Sequence, residues 1–209
     1  MLILGLAACG DGSKGPVTTP PPDLGFEPQT SDGGGVSDDG GAESGGDGAS
    51  DGGGDAQAAP DIPPLDPADY PGMDEHTDEG AVQAFRYYIA MSMWAHQTGD
   101  DSALPELEGP NCTGCAELNA AIGPLKEHGE YWSEFTVTDV GHRIHESDMH
   151  EVEIGYFFTI SPHMRPNESF DDQIDVPEIQ YISVGGMNWE SGRWVVSGLD
   201  AEWGEDVHK

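Results

Sequence analysis

The 209 residues hold 40 Asp and Glu against 7 Lys and Arg, a formal net charge of −33. That field repels phosphate backbones and anionic lipid, which excludes nucleic acid as a partner, and no run of 18 apolar residues exists to span a bilayer as a helix. Only 36% of residues are hydrophobic while Gly (30) and Pro (16) are abundant, so any core must be concentrated in part of the chain.

The chain opens Met1-Leu-Ile-Leu-Gly-Leu-Ala-Ala-Cys9-Gly10. Leu6-Ala7-Ala8-Cys9 resembles the lipobox of bacterial lipoproteins, in which small residues precede a cysteine whose thiol receives a diacylglyceryl group. A secretory signal needs a basic n-region and about 7–15 apolar residues. Only eight residues precede Cys9 and none is basic, so residues 1–9 are expected to be the remnant of a signal whose start lies upstream. Several acyl chains on Cys9 give stable anchoring. The expected location is the extracytoplasmic face of a bacterial cell membrane. The other reading is an incidental cysteine on a cytosolic protein.

Residues 10–76 read as a disordered acidic tether. Between residues 10 and 79 lie 17 acids and one base, Lys14, and Phe26 and Tyr70 are the only aromatics. Such a stretch cannot bury enough apolar surface to offset roughly 1–2 kcal/mol of backbone entropy per residue. The Asp-Gly tract over 31–55 lacks the apolar residue that calcium-binding nonapeptide repeats need in each turn, so it reads as a solvated spacer. Flexible-coil scaling gives this tether an end-to-end distance of roughly 40–50 Å.

Residues 77–204 read as one α+β domain, followed by a short tail over 205–209. Thr77-Asp78-Glu79 supplies a cap and first-turn acids for a helix ending near Gly99. Val82, Phe85, Ile89 and Met93 form its apolar stripe. A short turn at 101–104 follows, then a helix over 113–128 that Gly123-Pro124 kinks or splits. The period then becomes two. Val152, Ile154, Tyr156, Phe158 and Ile160 give the clearest strand, flanked by strands over 134–145, 178–185 and 193–199. Gly185-Gly186 suggests a bulge, 190–192 a hairpin turn, and the polar stretch 162–176 a loop. Helices followed by about four strands predict helices packed on a curved antiparallel sheet.

Gly80-Ala81, Ala84-Phe85, Tyr87-Tyr88, Gly99-Asp100, Leu104 and Pro110-Asn111-Cys112-Thr113-Gly114-Cys115 resemble, in order and spacing, an actinobacterial lipoprotein domain family of unknown function. The resemblance covers roughly residues 77–204. It implies a nuclear transport factor two-like, or cystatin-like, cone fold, and it supplies no catalytic residues.

Cys112 and Cys115 form C-x-x-C. In an exported protein the expected state is a disulfide. Redox chemistry on a helix N-terminus and half of a zinc site are the other readings, but no strand precedes the motif and no second C-x-x-C exists. His142, His145 and His150 are a conceivable metal cluster or solvated histidines; on a strand, residues 142 and 145 point to opposite faces. Tyr88, Trp94, Phe157 and Trp194 are candidates to line an apolar pocket, or ordinary core. Asp139 is the candidate acid–base group if the fold hosts an isomerase. No G-x-S-x-G, Walker A or H-E-x-x-H occurs, and no cofactor or metal is expected. The leading expectation is a non-enzymatic binding module for an envelope protein or a small apolar ligand. The alternative is a pocket enzyme of isomerase type.

Overall fold

The computed structural model describes residues 59–205 and 207–208. Cys9, the signal remnant and the expected tether up to residue 58 lie outside the described residues. Helix α1, Asp78–Thr98, begins where the sequence indicates. The Thr77 hydroxyl accepts the Gly80 N–H at 3.0 Å, Asp78 and Glu79 occupy the first turn, and Gly99 (φ 74°) closes the helix by donating to Ala95 O at 2.8 Å. Acids at a helix N-terminus and glycine in the left-handed region at its end are each stabilising.

A four-stranded antiparallel sheet in the order β1-β2-β5-β6 carries α1 on one face, from β1 (Val137–His145), β2 (Val152–Ile160), β5 (Ile179–Glu190) and β6 (Arg193–Gly204). This is the expected fold class. The five alternating residues of β2 are all buried. Phe85 of α1 packs directly on Gly185 of β5, where a Cβ would stand 2.4 Å from the Phe85 ring. The Gly186 bulge is present, with the extra residue, Ser197, on β6. Ser191 (φ 53°) and Gly192 (φ 87°) form a two-residue turn with both φ positive, which matches the twist of the hairpin.

Three expectations need correction. The helix over 113–128 is split as expected, into α3 (Thr113–Leu118) and α4 (Ile122–His128), but the break lies before Gly123-Pro124 and not at it. A proline ring clashes with the carbonyl four residues earlier, here Ala120, so the helix restarts with Pro124 in its first turn. The expected loop 162–176 contains a hairpin, β3 (His163–Pro166) with β4 (Gln173–Val176). Its Pro166 sits in the last pair, where a missing N–H costs little. The short helix α2, Leu104–Leu107, lies between α1 and α3.

Residues 59–76, which composition assigns to the tether, are ordered. They form a strap along α1. The Trp94 indole N–H donates to Ile62 O at 3.2 Å and the Trp194 indole to Glu75 O at 2.9 Å. Tyr70 meets Tyr87 edge-on at 5.1 Å, and Leu65 packs on the core. A Cβ at Gly80 would lie 2.1 Å from Glu75 O, so glycine there lets the strap close over the helix. The prolines of this stretch restrict its unfolded ensemble, which lowers the entropy lost on docking.

Candidate functional site

β1 carries a bulge between Asp139 and Gly141, and Gly141 takes φ 152°. Residues 139 and 142 are three apart, and an unbroken strand would send them to opposite faces. The bulge brings both to the face covered by α1. There the Arg86 guanidinium reaches Asp139 Oδ2 at 2.6 Å through Nη2, which also donates to His142 Nδ1 at 3.3 Å. Because arginine only donates, His142 accepts at Nδ1 and carries its proton on Nε2. The guanidinium lies over the Tyr156 ring, 5.6 Å from its centre. Burial, reinforced by the Asp139 carboxylate, pushes the Tyr156 hydroxyl above its usual range and keeps it protonated. Arg86 Nε is buried without a partner. The cluster is therefore an array of donors (Nε–H, Tyr156 O–H, His142 Nε2–H) beside an engaged carboxylate. Among the described residues, Arg86 is the side-chain hydrogen-bond partner of the His142 ring.

The four aromatic pocket candidates do not converge. Tyr88 is fully buried, donates to Glu108 Oε1 at 3.0 Å, and shares Asn119 with it; Asn119 Nδ2 lies 2.7 Å from Glu108 and 3.2 Å from Tyr88. Ser92 donates to Asn119 Oδ1 at 2.6 Å. This chain ties α1 to α2 and to the end of α3, and burial raises the Glu108 carboxyl above its ordinary range. Trp94 faces the strap. Phe157 is on the opposite face of the sheet, near Arg143 and His208. Trp194 belongs to the tip of the β5–β6 hairpin. Of the three histidines, His142 joins Arg86, His145 stands opposite Glu153 in the β1–β2 ladder, and the His150 ring covers Gly186 and Gly198. Among the described residues no group of three or more His, Cys, Asp or Glu is arranged to hold a metal ion.

Two other histidines flank Trp132: His96 at 4.6 Å and His163 at 5.2 Å between ring centres. His96 is buried and donates from Nδ1 to Ser92 O at 2.8 Å. Burial lowers it to about 4 from 6.5, and burial lowers His163 as well. A depressed histidine takes up its proton in the unfolded chain first, so its contribution is intact above pH 6.5 and is lost as pH falls towards 4. His96 alone is expected to remove on the order of 3 kcal/mol across that window. Urea unfolding at pH 7 and 4.5 checks this, with His96→Gln flattening the difference.

Cys112 and Cys115 are disulfide-bonded, with S–S 2.02 Å. Cys112 caps α3, and both residues are buried, at 7% and 0% exposure, which keeps the bond from exchanging thiols. Gly114 between them presses on β6, where a Cβ would meet Leu199 O at 1.9 Å. The bond thus holds the first turn of α3 against the sheet. Replacing both cysteines by serine is expected to cost roughly 2 kcal/mol on the loop-entropy account, read as a lower urea midpoint.

Residues 54–200 match the family of unknown function DUF6318. The chain belongs to that family. No curated protein matches it. The DUF6318 match takes in the strap together with the helices and sheet. Within this DUF6318 domain, sequence reasoning missed Arg86 and His76 because each is a lone charged residue whose partners are distant in the chain. Gly141 inside a strand was the available signal for the β1 bulge.

Proposed function

We propose that this chain is a lipid-anchored lipoprotein on the extracytoplasmic face of a bacterial, specifically actinobacterial, membrane, and that its folded domain binds an envelope protein or a small ligand. The observation that carries the reading is Leu6-Ala7-Ala8-Cys9 standing directly before a long acidic, Gly- and Pro-rich tract. A C-x-x-C disulfide is the state expected of an exported domain. The long helix across one face of a four-stranded sheet agrees with a nuclear transport factor two-like fold. Asp139, which an isomerase would use as acid–base group, is occupied by Arg86, and this favours binding over turnover.

The net charge gives the tether a purpose. A domain this acidic is repelled from an anionic surface, so a lipid holds it near the membrane while the tether keeps it off the headgroups. The test is mass spectrometry of the mature N-terminus together with fractionation of the wild type and Cys9→Ser. A diacylglyceryl adduct on Cys9 and release of Cys9→Ser from the membrane pellet are expected. An unmodified Met1 in the native host would sink the proposal.

A further inference from the structure

Trp189 and Trp194 pair across the β5–β6 hairpin and make a corner, with ring centres 5.4 Å apart and planes at 72°. The His76 imidazole stands in it, stacked on Trp189 at 4.7 Å with the planes 4° apart, and 5.4 Å from Trp194 at 68°. Glu151 closes the third side. Its Oε1 bonds His76 Nε2, and its Oε2 accepts the Trp189 backbone N–H at 3.1 Å. The Glu151 N–H donates to Asn188 Oδ1 at 2.9 Å. The sheet therefore fixes this carboxylate without help from His76.

Two indole faces at a steep angle beside a fixed carboxylate are what an organic cation binds, and Trp is the strongest partner in such contacts. The folded part also carries the matching field: residues 80–209 hold 23 acids against six bases. The present occupant is a modest one. His76 comes from the strap, not from the sheet, and the His76 and Glu151 side chains are 51% and 44% exposed. Exposed ion pairs contribute little to stability. An alkylammonium or guanidinium group keeps its charge throughout the physiological range, which an imidazole does not. A permanent cation thus meets the same two faces and the same carboxylate with a stronger electrostatic attraction.

We propose that Trp189, Trp194 and Glu151 form a receptor for a basic side chain of a protein partner, and that His76 is its resident plug, displaced on binding. This names the ligand chemistry of the proposed binding role. It rests on that role but not on the lipid, so the test uses the full chain carrying Cys9→Ser, with no membrane present. The probe is tetramethylammonium chloride, titrated at constant ionic strength against sodium chloride, with tryptophan fluorescence as readout. His76→Ala is expected to saturate at a probe concentration at least tenfold below that of the unplugged site's parent, the chain with His76 in place. Adding Glu151→Gln or Trp189→Ala is expected to abolish saturation. In the chain that retains His76, its Cε1–H resonance is expected to move towards that of free histidine as the probe saturates, which tests displacement even where His76→Ala loosens the strap. The proposal is overturned if His76→Ala gains no affinity, if the gain survives both added substitutions, or if the His76 resonance stays put. Failure of lipid anchoring would appear only in the Cys9 fractionation and leaves this result standing.

Discussion

A chain beginning at Thr77 is expected to be less stable than one beginning at Ala59 by on the order of 3 kcal/mol, seen as a lower urea midpoint. The two differ only by the strap. Without it the Trp94 and Trp194 indoles lose their carbonyl partners, Ile62 and Glu75, and Leu65 and Tyr70 leave the surfaces of α1. Water can satisfy the two freed N–H groups once they are exposed, so the hydrogen bonds themselves contribute little to the difference. The loss is chiefly apolar. Trp194, 4% exposed under the strap, becomes a surface residue, and burial of a large side chain is worth about 1.5–3 kcal/mol. Two terms act the other way. Ordering the strap costs backbone entropy, which its prolines reduce, and removing five acids relieves repulsion within an acidic domain. Repeating the comparison in 0.5 M salt screens the second term and should widen the gap. Equal midpoints in both buffers would show the strap to be an appendage.

The strap also shows where sequence reasoning stops. Averaged over 10–76, the composition is that of a chain without a core, and Ile62, Leu65 and Tyr70 are diluted by the Gly-Asp tract before them. Their value depends on Trp94 and Trp194, which lie 32 and 119 residues from the carbonyls they bond. The elements with local causes were readable. The α1 cap and its Gly99 stop follow from rules spanning a few residues, as do the alternation of β2 and the 190–192 turn. The candidate site was less so. Asp139 and His142 were singled out separately, yet their meeting on Arg86 requires a one-residue slip in β1, and periodicity cannot report a slip. The aromatic candidates, which the fold places among different neighbours, meet the same limit in reverse. Being apolar and of the right period states that a residue packs, but not against which neighbour.

The Phe85–Gly185 contact yields the other large effect. Gly185→Ala places a methyl group 2.4–2.6 Å from three atoms of a ring that is itself 0% exposed, so the ring has no free volume to enter. Overpacking of this kind costs about 1–3 kcal/mol, and this site belongs at the upper end because both partners sit on rigid elements. Phe85→Ala fails in the opposite way. It opens a cavity between α1 and the sheet beside Tyr88 and Tyr156, whose rings lie 6.4 Å away, and is expected to cost roughly 3–5 kcal/mol. The two substitutions should not add. With the ring gone, the new methyl group occupies space that would otherwise be empty, so the double variant is expected to be more stable than Phe85→Ala alone. A coupling of about 2 kcal/mol lies within the range for residues in contact. Denaturant unfolding of the four chains of this cycle measures it. Additive losses would mean that Gly185 is required by the bend of β5 and not by the ring, and the helix–sheet contact would then need another explanation.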